Sequence, residues 1–201
     1  MTEPDDSDAR PSLNGLIVVA RFEYLRNNHG SDAVHRVLES LPPEERARLA
    51  GVERTASYPF STLMVLDRTI AAVLTEVGEA VYERLGETVA RLHSEWLGEH
   101  SALVSPHAFL SRLAEDHRRL HNFGHARYRR VGFTEGEISY RDYPEIDPIY
   151  CRSGRAFLRA SLELLQGLGV SVDETQCQCR GDAACVYEVK WPVESRGAGP
   201  V

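Results

Sequence analysis

Apolar residues recur at helical spacing through the first 124 positions and at strand spacing through much of the rest. Leu16, Val19, Phe22 and Leu25 mark one face of a helix over 15–28, which Gly30 ends. Ser31 is a capping residue for a second helix over 32–41. Pro42-Pro43 stops it and opens a short acidic helix to Leu49. After a break at Tyr58-Pro59, Leu63, Leu66, Ile70, Val73 and Leu74 share one face of a helix over 60–76. Val81, Leu85, Val89, Leu92 and Trp96 do the same over 78–97. Ser105-Pro106 supplies an N-cap and a first-turn proline for a helix to about Phe123, with Gly124 as its stop.

The period then shortens to two. Residues 126–133 and 137–143, joined by Thr134-Glu135-Gly136, read as a hairpin. Asp147-Pro148 opens a long helix carrying Ile149, Phe157, Leu158, Leu162 and Leu165, closed by Gly167 or Gly169. A second hairpin, 170–178 and 184–191, turns around Arg180-Gly181-Asp182. The predicted class is α+β: a helical N-terminal half packed on an antiparallel sheet of two hairpins, with a long helix between them. The expected organisation is one domain over 12–193, in halves 12–124 and 125–193, with disordered tails at 1–11 and 194–201.

Composition narrows the function. The 201 residues are enough for one well-buried domain, and 42% hydrophobic with 26% charged residues is an ordinary globular balance. A net charge of -7 argues against binding nucleic acid or an anionic membrane, which needs a basic surface. No apolar run approaches a membrane span, and the acidic N-terminus has no signal-peptide core, so a cytoplasmic location is expected. In that reducing compartment the 4 cysteines read as metal ligands or free thiols before disulfides.

Candidate chemistry gathers late in the chain. Cys151, Glu174, Cys177 and Cys185 are donors of the kind that close a tetrahedral zinc site. Buried thiols packed as small apolar groups are the alternative. Strand alternation puts Cys179 on the face of Cys177, as a spare ligand or a free thiol. His117 continues the apolar stripe of Leu110, Leu113 and Leu120, where it is a core histidine or an iron ligand. His117, His121 and His125 are spaced by four, but Asn122-Phe123-Gly124 ends the helix before the third. Arg118, Arg119, Arg127, Arg129 and Arg130 form a basic patch for an anion or an acidic partner, or else a solvated edge. No phosphate loop, dinucleotide fingerprint or nucleophile elbow is present, so an enzyme is not expected.

Residues 126–191 resemble the 4-vinyl-reductase domain of aromatic-compound sensors. The likeness rests on Cys151 with Ser153-Gly154-Arg155-Ala156-Phe157, Glu174-Thr175-Gln176-Cys177, and Gly181-Asp182-Ala183-Ala184-Cys185-Val186-Tyr187. It implies a structural zinc on Cys151, Glu174, Cys177 and Cys185 beside a ligand pocket. The first half resembles the haem nitric-oxide/oxygen-binding (H-NOX) domain, through Gly15-Leu16-Ile17, Tyr24-Leu25, Asn28-His29-Gly30, Tyr58-Pro59 and Leu85-Gly86. There His117 falls at the haem-ligand position. That family's Tyr-x-Ser-x-Arg propionate clamp is replaced by Tyr140-Arg141-Asp142-Tyr143-Pro144, so haem is not expected. Both resemblances belong to one superfamily, which also contains vesicle-tethering scaffold subunits. His121-Asn122-Phe123-Gly124 and the closing Cys185-x-Tyr187-x-Val189-x-Trp191 resemble a standalone bacterial family of about this length. Together they imply a non-catalytic sensory domain for a small, partly apolar ligand, with a zinc clip, signalling through a protein partner or homodimer. The alternatives are a ligand-free interaction scaffold and a haem-based gas sensor using His117.

Overall fold

The computed structural model describes residues 10–75, 77, 80–97, 105–144 and 146–193. Strand β1 (Ser12–Asn14) leads into helix α1 (Gly15–Ser40), where the Asn14 side chain accepts from the Leu16 N–H at 2.9 Å. Gly30, at φ 77° and ψ 174°, is non-helical and divides α1 into two helices across a kink, as its place before Ser31 predicts, and the second runs to Ser40. Helix α2 (Pro43–Leu49) and strand β2 (Ser57–Pro59) follow, and β2 pairs antiparallel with β1. These two strands are too short to show a period in the sequence. Helices α3 (Phe60–Val73), α4 (Ala80–Leu97) and α5 (Pro106–Leu120) complete the first half. Glu76 and Gly78, and the Trp96 side chain, lie outside the described residues.

Ser105 caps α5 as its sequence predicts, accepting from the Ala108 N–H at 3.3 Å ahead of Pro106. The helix stops at Leu120, earlier than Phe123, because His121 turns extended and bridges Leu13. Asn122 fastens the same corner: its side chain accepts from the Ser12 N–H at 2.7 Å and donates to the Arg10 carbonyl at 3.1 Å. The Pro11 carbonyl accepts from the Phe60 N–H at 2.8 Å. The rest of the tails expected at 1–11 and 194–201 lies outside the described residues.

The second half is an antiparallel sheet in the order β3-β4-β6-β5, built from β3 (His125–Arg130), β4 (Glu135–Arg141), β5 (Ser171–Gln176) and β6 (Cys185–Lys190). The register sets Tyr128 beside Ile138, Ile138 beside Tyr187, Tyr140 beside Cys185, and Glu174 beside Tyr187. These residues therefore share one face, which turns toward helix α6 (Pro148–Gln166). Asp147 caps α6, accepting from the Ile149 N–H at 2.9 Å, and is also ion-paired to Arg68 of α3. Two cores result. One fills the space among α1, α2, α3 and α4, and the other lies between α5, α6 and the sheet. They are drawn together where α4 crosses α6 at Gly86. A Cβ on Gly86 would stand 2.1 Å from the Ser153 carbonyl oxygen, so only glycine allows this approach.

Candidate functional site

A cavity of about 100 Å³ lies where the two cores meet. Leu16, Ile17 and Arg21 reach it from α1, Val89 and His93 from α4, and Leu113, His117 and Leu120 from α5. The sheet adds Tyr140, Cys185 and Tyr187, and α6 with its approach adds Tyr143, Ile146, Tyr150, Cys151, Ser153, Gly154 and Phe157. The predicted inward histidine is there: His117 is 3% exposed. Its Nε2 lies 2.6 Å from the Tyr143 hydroxyl, and its Nδ1 is buried with no partner among the described residues. His121 stacks on it, with ring centroids 4.6 Å apart and planes 12° from parallel. His121 Nε2 is 2.8 Å from the Tyr150 hydroxyl.

Burial decides the charge of both rings. It pushes His117 down to about 4, with the nearby His125 and Arg118 adding to the effect. It pushes His121 down to about 3, with His117 adding to the effect. Both are neutral at pH 7, the form that donates a lone pair to a metal. Burial likewise holds Tyr140, Tyr143 and Tyr150 protonated. His125 begins β3 and leaves the stack, as the predicted helix end requires.

The thiol cluster forms the adjoining wall, and Cys151 and Cys185 belong to both. Cys151 comes from α6, Glu174 from β5, Cys177 from the end of that strand, and Cys185 from β6. One donor atom from each lies within 4.8 Å of all the others. Cys151 Sγ is 3.6 Å from Cys177 Sγ and 3.8 Å from Cys185 Sγ. A tetrahedral zinc with Zn–S bonds of about 2.3 Å spaces its sulfurs at roughly 3.8 Å. Glu174 Oε1 is buried and unpartnered among the described residues. The donors therefore fit a metal. Cys179 is not on the strand face expected for it. A 3-10 turn over Gln178–Arg180 interrupts the alternation, yet its sulfur still comes within 3.9 Å of Cys151 Sγ.

The arginines do not form one free patch. Arg119 pairs with Asp116 at 2.9 Å, Arg129 with Glu137 at 2.6 Å, and Arg130 donates to the Gly132 carbonyl at 3.1 Å. Sequence reasoning passed over Arg21, which is 1% exposed and salt-bridged to the fully buried Asp67 at 2.8 Å. The signal was available. Ile17, Arg21 and Leu25 are spaced by four, which sets a charge on the inward stripe.

The model of the family described as protein of unknown function, DUF2378, matches residues 34–192. This chain is a DUF2378 protein. Among curated proteins none matches it. Its fold is that of solved H-NOX structures. The H-NOX protein from S. oneidensis in the Fe(II)NO ligation state is 14% identical, with a TM-score of 0.71, over 90% of this chain and 100% of that one. The Fe(II) unliganded H-NOX protein from K. algicida is 10% identical, with a TM-score of 0.68, over 91% and 98%. A structure probing heme distortion in the H-NOX family is 16% identical, with a TM-score of 0.70, over 90% and 96%.

These likenesses overturn the expectation against haem. That expectation rested on the missing propionate clamp, in whose place Tyr140 and Tyr143 line the cavity. The fold, with a histidine facing its central cavity, survives without the clamp. His117 could hold a haem iron, being neutral, buried and unpartnered at Nδ1 among the described residues. The cavity is smaller than the several hundred Å³ (roughly 300–1,000) of most cofactor sites, so a macrocycle requires the surrounding side chains to part. Among the described residues no helix is long and apolar enough to cross a membrane.

Proposed function

We infer that this DUF2378 protein is a non-catalytic sensory domain whose central cavity holds its ligand, and that His117 would hold a haem that binds a gas. The observation that carries the reading is the neutral, buried His117 with an unpartnered Nδ1, on a cavity wall of an H-NOX-like fold. Haem would supply an iron centre for a diatomic. The chain's own part is to present the imidazole, to keep water out with Leu16, Ile17, Leu113 and Phe157, and to orient the ring through Tyr143. Absorption spectroscopy of the purified and haem-titrated chain tests this. A Soret band is expected at one haem per chain, and His117→Ala should lose or shift it. No Soret band after titration ends the haem reading.

The small cavity favours a second reading, in which a compact, partly apolar molecule binds directly. Apolar cavities of roughly 150 Å³ hold benzene-sized guests. In either case a zinc on Cys151, Glu174, Cys177 and Cys185 acts as a clip from α6 to the last hairpin, the arrangement that the 4-vinyl-reductase resemblance implies. Its support is the sulfur spacing and the unpartnered Glu174 oxygen. Four protein donors leave no open position, so the metal would be structural. The chain carries its signal to a cytoplasmic protein partner or to a second copy of itself.

A further inference from the structure

The cavity has a charged pair in its wall that neither reading uses. Arg21 Nε and Nη2 donate to the two carboxylate oxygens of Asp67 at 2.9 and 2.8 Å. Nη2 also approaches Ser153 Oγ at 3.4 Å, and Nη1 has only the Ile17 carbonyl, also at 3.4 Å. A guanidinium carries two hydrogens on each Nη. Nη1 therefore retains an N–H without a protein acceptor among the described residues, on a side chain that is 1% exposed and lines the cavity. Buried ion pairs are often replaceable by apolar residues at no loss, so stability alone is a weak reason for this one.

We propose that Arg21, clamped by Asp67, is the polar anchor of the cavity, and that its Nη1 donates a hydrogen bond to a neutral acceptor atom on the bound molecule. This rests on the ligand-binding reading of the cavity and specifies the ligand class within it. Asp67 cancels the charge of Arg21, so an anion gains little attraction and still loses its hydration. A group that only donates cannot pair with Nη1, and Asp67 is not among the residues that line the cavity. A compact neutral molecule with one exposed oxygen or nitrogen lone pair satisfies the free N–H and leaves its apolar remainder to Leu16, Ile17, Leu113 and Phe157. Ser153 Oγ, on the same guanidinium, is placed to accept or donate beside it.

The test compares two rings of nearly equal shape, tetrahydrofuran and cyclopentane, which differ in one ether oxygen. Their binding to the full chain is followed by NMR, in the wild type and in the Arg21→Met/Asp67→Leu double variant, which keeps both shapes without the charges. The double variant should weaken tetrahydrofuran relative to cyclopentane by about fivefold to tenfold, the effect of one net hydrogen bond. In the wild type, the Arg21 side-chain N–H resonances should shift with tetrahydrofuran and stay in place with cyclopentane, a readout that stands even if the double variant fails to fold. Binding of both probes with an unchanged ratio, or with no Arg21 shift, overturns the anchor and leaves the ligand cavity intact. Binding of neither probe to the wild type overturns the cavity reading and the anchor with it.

Discussion

At the scale of single residues, burial has made chemistry out of ordinary side chains. His117 and His121 are stacked and neutral, and each must take up a proton when the chain unfolds in acid. Their folded values lie below the ordinary 6.5, so stability is full above pH 6.5. It falls as pH drops toward about 4 for His117 and about 3 for His121. Each contributes a slope of about 1.4 kcal/mol per pH unit in its window. Thermal melts between pH 7 and pH 4 should show this fall, and His121→Gln should flatten it by roughly one proton. An identical slope in that variant would refute the assignment. Arg21 and Asp67 give a second expectation. Arg21→Met alone strands a buried carboxylate and should cost about 3–5 kcal/mol in chemical denaturation, whereas the double variant stays near wild type. A single variant as stable as wild type would mean that Asp67 is not charged. The pair was hard to foresee because its members lie 46 positions apart, and only the inward place of Arg21 on α1 hinted at it.

At the scale of elements, legibility followed local chemistry. Helices α5 and α6 announce themselves through a capping side chain and a first-turn proline, Ser105-Pro106 and Asp147-Pro148, and both caps form. The two hairpins were legible through their alternation. Gly30 was likewise legible as the break between two helices, whereas the 3-10 turn over Gln178–Arg180 takes Cys179 off the strand alternation that the sequence predicts. The grouping of Cys151, Glu174, Cys177 and Cys185 was legible in residue type and spacing and in the helix and hairpin that carry them, and the fold brings their donor atoms within 4.8 Å of one another. The crossing of α4 and α6 was not legible, since the sequence presents Gly86 merely as a glycine in a helix. Gly86→Ala should nevertheless be costly, although alanine is the better helix former. Its Cβ meets backbone atoms of Ser153 and Phe157, which cannot rotate away. A loss of about 1–3 kcal/mol is expected, as for other overpacked sites, and a thermal melt at or above wild type would contradict so close a crossing.

At the scale of the molecule, the two cores are joined by the α4–α6 crossing with its Glu83–Arg155 and Glu87–Arg159 pairs, by the Arg68–Asp147 pair, by the Arg21–Ser153 contact, and by the corner where Asn122 holds the chain before β1. The thiol cluster ties α6 to the last hairpin within the second core. If it holds zinc, metal affinity is part of folding free energy. Metal analysis should then find one zinc per chain, and both Cys177→Ser and a strong chelator should lower the melting temperature. Zinc-free protein, with Cys177→Ser melting like wild type, would remove the clip. Cys151 and Cys185 stand in that cluster and in the cavity wall at once. With a metal in the first and a ligand in the second, occupancy of the two places would be coupled, and coupling between binding events is reciprocal. Whatever factor the metal adds to ligand affinity, the ligand returns to the metal. The chelator concentration that half-empties the thiols thus becomes a gauge of whether the cavity is filled, readable without knowing what fills it.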